Sequence, residues 1–162
     1  MLVCGQVNPP PIGGGYNGFY FSENDDLAGK ARNLKGTPLR VEHNDKTHVG
    51  QVLQGWTDSS TGAMWALAEI DITNLGGAVT AAAVERGLFG EFSLGYTAKM
   101  QKNSKTGAID VQGKNIHELS IVKKGARPGC GIQKNERPSN FYRGPSSSSS
   151  TTRSVIQKTS YK

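Results

Sequence analysis

The sequence is poor in the features that define disulfide-rich and membrane-spanning proteins. Only two of its 162 residues are cysteines, Cys4 and Cys130, and neither belongs to a C-x-x-C or a paired Cys/His motif. No run approaches the roughly 18 apolar residues of a membrane-spanning helix. The first residues lack the basic segment and the small-residue cleavage site of a secretory signal. These absences argue against secretion and membrane insertion and favour a reducing compartment.

A zinc site is disfavoured by the same scarcity of ligands. It would need Cys4, His43, His48 and Cys130 to converge tetrahedrally, although none of them shows the local spacing of zinc ligands. We therefore expect no metal site, and the serine chemistry considered below requires no cofactor. His48 follows His43 by five residues, a spacing that suits neither a helix face nor a strand face, and we interpret it as a surface residue.

Positive charge is concentrated towards the end of the sequence. Residues 1–132 carry 13 Lys and Arg against 12 Asp and Glu, a net charge of +1, whereas residues 133–162 carry six basic residues against one glutamate, a net charge of +5. The second segment also contains the run GPSSSSSTT, which cannot bury enough apolar surface to offset the entropy lost on ordering. We predict a folded domain over 1–132 and a disordered basic tail over 133–162.

Alternating apolar and polar residues between turn sequences predict a mainly β domain. Many short strands with few helices are typical of a β-barrel or closed sheet. Trp56 and Trp65 flank a hairpin turn and are expected to pack together across strands. The predicted strands are Leu2–Val7, Tyr16–Phe21, Leu39–His43, Val49–Trp56, Ala63–Ile72, Glu91–Met100 and Asn115–Lys123.

Two short helices interrupt this pattern. Residues 73–87 begin with a candidate N-cap in Thr73 or Asn74, continue through an alanine-rich stretch and end at Gly87. Residues 25–33 predict a second, less strongly marked helix. The expected architecture is therefore a β-barrel with a few short helices.

The candidate catalytic residues are His43, Ser93 and the adjacent pair His117 and Glu118. They lie in three segments that each contain a strand-like apolar run, VEHNDKTHVGQVLQGW, GEFSLGYTAKM and NIHELSIVKKGARPG. A serine hydroxyl becomes a useful nucleophile when a histidine, itself oriented by a third group, accepts its proton. Adjacent side chains of a strand point to opposite faces, so only His117 or Glu118 can reach His43. Taken singly, Ser93 and His43 are more typical of structural residues, and it is their combination that indicates a catalytic triad.

The same segments resemble a known family. VEHNDKTHVGQVLQGWTDSSTGAMWALAEID is similar to the region around the catalytic histidine of assemblin, the herpesvirus capsid maturation protease. FSLGYT resembles the family's nucleophile strand, and HELSIVKKGARPG resembles the strand of the third triad member with the oxyanion turn that follows it. The tailed-phage prohead proteases share the fold and the residue order, and ELSIV resembles them more closely. The resemblance implies a serine endopeptidase that cleaves the scaffold and other internal proteins of a viral procapsid.

The resemblance also implies roles for individual residues. Counting back from the turn favours Glu118 over His117 as the third triad member, and the family's oxyanion donors correspond to Ala126, through its backbone N–H, and Arg127. Family enzymes continue into helices that build a dimer, whereas this chain continues into proline, glycine and serine, so a homodimer stays an open expectation. Such a protease would act inside the procapsid, in the nucleus or cytoplasm of the host cell.

Two other functional classes compete with the protease interpretation. A nucleic-acid-binding β-barrel is disfavoured by the net charge of +1 over residues 1–132, which leaves the basic tail as the only nucleic-acid contact. From charge alone, the tail is a tether to an acidic scaffold, to capsid protein or to packaged nucleic acid, in that order of preference. The second class is a catalytically inactive capsid or scaffold adaptor, which would not react with a serine-directed probe.

Overall fold

Seven strands of this chain form one curled sheet. The computed structural model describes residues 1–11, 21, 25–107 and 109–134. Its strands are β1 (Leu2–Asn8), β2 (Pro38–Val41), β3 (Gly50–Thr57), β4 (Met64–Ile70), β5 (Glu91–Lys102), β6 (Ile109–Val122) and β7 (Ile132–Lys134). Its helices are α1 (Leu27–Arg32) and α2 (Leu75–Glu85). The predicted mainly β fold class is confirmed.

The strands lie in the order β5-β6-β2-β3-β4-β1-β7. All neighbouring pairs are antiparallel except β2 and β6, which run parallel. The two ends of the sheet meet where Glu91, the first residue of β5, forms an antiparallel bridge with Gly131, just before β7. The amide of Phe92 donates to the carbonyl of Cys130 at 2.7 Å, and that of Ile132 to the carbonyl of Gly90 at 2.8 Å. The curled sheet therefore surrounds its core.

The core contains the apolar side chains that alternation places on the inner face. Leu119 and Ile121 of β6 and Phe92 of β5 are fully buried, with Met64 and Ile70 of β4. Burying one such side chain contributes about 1.5–3 kcal/mol. Trp56 and Trp65 are register partners on β3 and β4, and their rings stack with centroids 6.5 Å apart, which confirms their predicted pairing.

Both predicted helices exist and are shorter than the sequence pattern. Asn74, one of the two candidates, is the N-cap of α2, and its side-chain oxygen accepts from the amide of Gly77 at 2.7 Å. Gly87 follows the C-cap with a φ of 74°, the left-handed conformation that glycine adopts without strain. No helix in the described ranges is long and apolar enough to cross a membrane.

Several sequence predictions differ from the structure or lie outside its described residues, and strand β7 has no counterpart among the predicted strands. Strand β6 begins at Ile109 instead of Asn115, because it pairs with β5 along nearly its whole length. Strand β2 ends at Val41 instead of His43, because the chain turns there. Residues 133 and 134, which the sequence assigned to the disordered tail, belong to β7 and pair with Cys4 and Val3 of β1. Residues 16–20 of the predicted Tyr16–Phe21 strand, and residues 135–162 of the predicted tail, lie outside the described residues.

Candidate active site

Strands β5 and β6 place four small or polar residues on one face. Ser93 pairs with Ser120 and Gly95 pairs with Glu118 in the antiparallel register. Since alternate residues of a strand share a face, these four positions lie together, and the leucines between them belong to the core. Ser93 and Glu118 are both buried. A hydroxyl and a carboxylate are thereby held on a rigid surface.

His43 reaches the same place from a turn, so the prediction that it belongs to a strand is wrong. Glu42 and His43 have φ values of 50° and 57°, in the left-handed region that non-glycine residues seldom occupy. The turn is closed by the hydroxyl of Thr47, whose single proton is shared between the carbonyl oxygens of Val41, at 3.0 Å, and Asn44, at 2.8 Å. Leaving the strand lets the ring of His43 approach β5 and β6.

The imidazole of His43 lies between Ser93 and Glu118. Its Nε2 atom is 2.9 Å from the Oγ of Ser93, and its Nδ1 atom is hydrogen-bonded to the Oε1 of Glu118. The side chain of His43 is 43% exposed, whereas that of Glu118 is 3% exposed. One edge of the ring is therefore open to solvent, while the carboxylate behind it is shielded.

Glu118, and not His117, contacts His43. Gly95 pairs with Glu118 but the next residue, Tyr96, pairs with Ile116, so His117 is the extra residue of a β-bulge. Its side chain is exposed. The alternative that the sequence left open is thus decided in geometry by the register of β5 and β6.

Electrostatics favour an imidazolium beside a carboxylate. The hydrogen bond to Glu118 raises the pKa of His43 and outweighs the opposing effect of partial burial. Burial is the largest single influence on the pKa of Glu118 and acts to raise it, but the hydrogen bonds from His43 and Ser120 together hold that pKa below its ordinary value. The carboxylate is therefore ionised and ready to stabilise positive charge on the ring.

Two residues of this site were not singled out from the sequence as functional. Ser120 donates its hydroxyl to the Oε2 of Glu118 at 2.6 Å and accepts from the backbone N–H of His43 at 3.0 Å. Gly95 leaves the space that the carboxylate occupies, because a Cβ there would lie 1.9 Å from the Oε1 of Glu118. Alternation puts Ser120 on the face of Glu118, but no sequence signal reports these contacts.

The turn after β6 carries the two predicted oxyanion residues. The amide of Gly125 donates to the Oε2 of Glu91, which ties the turn to the start of β5. Ala126 is exposed, whereas Arg127 is buried. The turn is therefore anchored beside the strand that carries Ser93.

The guanidinium of Arg127 is directed towards aromatic rings near the site. Its central carbon lies 5.5 Å from the ring centroid of Phe21 and 5.5 Å from that of Tyr96, within the range of cation–π attraction. Its positive charge acts to lower the pKa of His43, against the larger effect of Glu118. Arg127 thus contributes positive potential at the imidazole.

The cysteines and His48 stand apart from this chemistry. Cys4 and Cys130 are buried free thiols, and burial raises the pKa of each to about 11. They are therefore protonated near neutral pH, and a thiol is a much weaker nucleophile than a thiolate. His48 is exposed, as expected. Across residues 1–11, 21, 25–107 and 109–134, no three or more His, Cys, Asp and Glu side chains are grouped to hold a metal.

Similarity to other proteins is detected in structure and not in sequence. No protein-family model matches the chain, and no curated protein resembles it in sequence. The protease of Kaposi's sarcoma-associated herpesvirus (KSHV), bound to a hexapeptide phosphonate inhibitor, has a TM-score of 0.59 and 16% identity over 81% of this chain and 63% of that chain. The KSHV protease bound to an allosteric inhibitor has a TM-score of 0.52 and 14% identity over 81% of this chain and 73% of that one.

A third KSHV protease structure, in complex with a dimer disruptor, has a TM-score of 0.51 and 14% identity over 81% of this chain and 74% of that one. The chain thus has the fold of a herpesvirus protease. It is the assemblin-like fold that the three sequence segments predict. The chain spans 63% of the length of the first of these proteases, and at such low identity the likeness defines the fold alone.

Proposed function

We propose that this protein is a serine endopeptidase of the viral capsid maturation type. The observation that carries the proposal is the continuous contact from the Oγ of Ser93 through the imidazole of His43 to the carboxylate of Glu118. The assemblin-like fold supports it, because the proteins with that fold reported above are viral proteases. The site is the evidence for function, and the shared fold supports it by analogy.

In the proposed reaction, the Oγ of Ser93 attacks the scissile carbonyl while the Nε2 of His43 takes its proton. The backbone N–H of Ala126 and the guanidinium of Arg127 stabilise the negative oxygen of the tetrahedral intermediate. His43 then gives the proton to the leaving amine, and an acyl-enzyme forms on Ser93. Water activated by the same imidazole hydrolyses the acyl-enzyme and restores the serine.

Glu118 is assigned the role of third triad member. Its carboxylate accepts the Nδ1 proton of His43, so that Nε2 is the atom left to act as the base. The carboxylate also stabilises the imidazolium that forms during proton transfer, in keeping with the raised pKa of His43. A carboxylate does this more strongly than a neutral imidazole such as that of His117 would.

The proposed substrates are the scaffold and other internal proteins of a procapsid, which places the enzyme inside the procapsid during assembly in the host cell. A homodimer is part of the proposal, since one similar KSHV protease was solved with a dimer disruptor.

The net charge of +5 over residues 133–162 suits a tether to acidic scaffold, capsid protein or nucleic acid. Deleting residues 135–162, which leaves β7 whole, is expected to remove salt-dependent binding of nucleic acid and to leave the reactivity of Ser93 intact.

Covalent labelling tests the enzymatic claim directly. A fluorophosphonate probe is expected to modify the folded protein at Ser93, identified by peptide mass spectrometry, and labelling is expected to disappear in Ser93→Ala and His43→Ala. Ser59, exposed in the turn between β3 and β4, offers a matched control, and Ser59→Ala should label like the wild type. A folded wild-type protein that resists the probe would refute the proposal and leave an inactive capsid or scaffold adaptor.

Peptide phosphonates provide a second probe with substrate-like recognition. The similar KSHV protease was solved with a hexapeptide phosphonate inhibitor, and tetrahedral phosphorus resembles the intermediate of acyl transfer. A library of such peptides, scored by mass shift at Ser93, would define the preferred residues around the scissile bond. Equal reactivity of every peptide and of a phosphonate without a peptide would contradict the endopeptidase assignment.

A further inference from the structure

Ser120 occupies the point where the three strands of the site meet. It lies on β6, opposite Ser93 of β5 and beside Arg40 of β2 in the parallel register. Its side chain is completely buried, so its hydroxyl has to find its partners within the protein. Its two partners belong to Glu118 and His43, the other two residues of the site.

The direction of both hydrogen bonds is fixed by chemistry. The ionised carboxylate of Glu118 can only accept, so the hydroxyl of Ser120 donates to its Oε2, at 2.6 Å. The backbone N–H of His43 can only donate, so the same hydroxyl oxygen accepts from it, at 3.0 Å. One hydroxyl therefore connects the third group of the site to the backbone that carries the imidazole.

Each bond restrains a feature that would otherwise be free to change. With Oε2 held by Ser120 and Oε1 by His43, the carboxylate of Glu118 cannot rotate without losing a charge-assisted hydrogen bond. The backbone of His43 has a φ of 57°, a conformation that persists in a non-glycine residue only where its surroundings hold it. The bond from its N–H to Ser120 supplies such a restraint.

We infer that Ser120 is a positioning residue, which locks the Glu118 carboxylate and the left-handed turn of His43 into the arrangement that activates Ser93. Its effect on rate rests on the proposed function, whereas its effect on the geometry does not. Misplacing catalytic groups by about 1 Å can cost about 10²-fold in rate. Ser120→Ala is therefore expected to slow phosphonylation of Ser93 by about 10- to 100-fold at saturating probe and to leave the affinity for the probe unchanged.

Nuclear magnetic resonance measures the positioning itself. In Ser120→Ala the pKa of Glu118 is expected to rise, because a hydrogen bond that stabilises its charged form is lost, and the amide of His43 is expected to exchange with solvent faster. Ser120→Thr retains a hydroxyl and is expected to restore both quantities toward the wild type. Ile121→Val, which removes one buried methyl group from the neighbouring core position, serves as the control for lost stability alone.

The outcomes separate this inference from the proposed function. Should Ser120→Ala leave the Glu118 titration and the His43 amide exchange as in the wild type, or should Ile121→Val change them as much, the positioning role is excluded. Should both quantities change as expected while the wild type resists the probe, the positioning role stands and the protease assignment fails. If Ser120→Ala does not fold, Ser120→Thr and Ser120→Cys are compared instead. The positioning role then predicts that the threonine hydroxyl keeps the Glu118 titration and the His43 amide exchange near the wild type, and that the weakly bonding thiol of the cysteine does not.

Discussion

The Nε2 atom of His43 lies 2.9 Å from the Oγ of Ser93, although 50 residues separate them in the chain. The left-handed turn after β2 presents the ring, and the buried face of β5 and β6 presents the hydroxyl. The side chain of His43 is 43% exposed, so the imidazole is partly open to solvent beside the buried hydroxyl of Ser93. This contact is the geometry that general-base activation of a serine requires.

Replacing Glu118 with glutamine tests the third member of the site. Glu118→Gln keeps the shape of the side chain and removes the charge whose hydrogen bond raises the pKa of His43. In the proposed mechanism the neutral imidazole is the base, so activity should fall as the pH drops through the pKa of His43. We expect the acid limb of the rate of phosphonylation to move to lower pH and the plateau to fall roughly 10²- to 10⁴-fold. His117→Gln is the matched control, and an unmoved acid limb in Glu118→Gln would exclude this role.

The same pair predicts a pH dependence of stability. Folding raises the pKa of His43 above 6.5. The contribution of His43 to the free energy of unfolding is therefore complete below pH 6.5 and is lost as the pH rises through its pKa in the folded state. Folding lowers the pKa of Glu118 below 4.5, so its contribution is complete above pH 4.5 and is lost as the pH falls through the folded-state value. The difference in free energy of unfolding between the wild type and His43→Gln should be largest between pH 4.5 and 6.5. A pH-independent difference in urea unfolding would contradict this.

A methyl group at position 95 should displace the carboxylate. The Cβ of Gly95→Ala would lie 1.9 Å from the Oε1 of Glu118 and 2.5 Å from its Cδ, so the side chain must leave its place beside His43. We expect labelling of Ser93 to slow by about 10²-fold and the pKa of His43 to fall. Gly90→Ala is the control, since a Cβ there meets nothing within 4 Å. Wild-type labelling in Gly95→Ala would show that the carboxylate is not needed where it lies.

Replacing Arg127 tests the proposed oxyanion site. Arg127→Met removes the charge that acts to lower the pKa of His43, so that pKa should rise further. If the guanidinium stabilises the oxyanion, phosphonylation at saturating probe should fall roughly 10²- to 10³-fold even at a pH where His43 is neutral. Arg127→Lys keeps the charge without the planar fork and should recover part of the rate. A Met variant that folds and reacts like the wild type would confine Arg127 to packing against Phe21 and Tyr96.

Local pattern was sufficient for the elements that carry most of the site. Alternation along β6 accounts for the packing of Leu119 and Ile121 in the core and for the contact between Glu118 and Ser120 on the other face. The polar start and glycine end of α2 likewise marked a real helix. These features follow from the periodicity of side chains, which neighbouring residues determine by themselves.

Other features had no such signal. The sequence pattern extended β2 to His43, because nothing local reveals that Glu42 and His43 adopt left-handed backbone conformations. The place of His117 in a bulge depends on how β6 pairs with β5, and the contact of Gly95 with Glu118 depends on the same register. Pairing between distant strands is a property of the whole sheet.

The sequence by itself determined a β-rich domain, the faces of its strands and a short set of candidate residues for acyl transfer. Only the tertiary structure decided that Glu118 contacts His43, that Ser120 links the two, and that Gly95 makes room for the carboxylate. The physical reason is the distance along the chain over which each feature is determined, and side-chain alternation is determined within a few residues. The distances between a turn and two strands are set when the sheet curls and buries a common core.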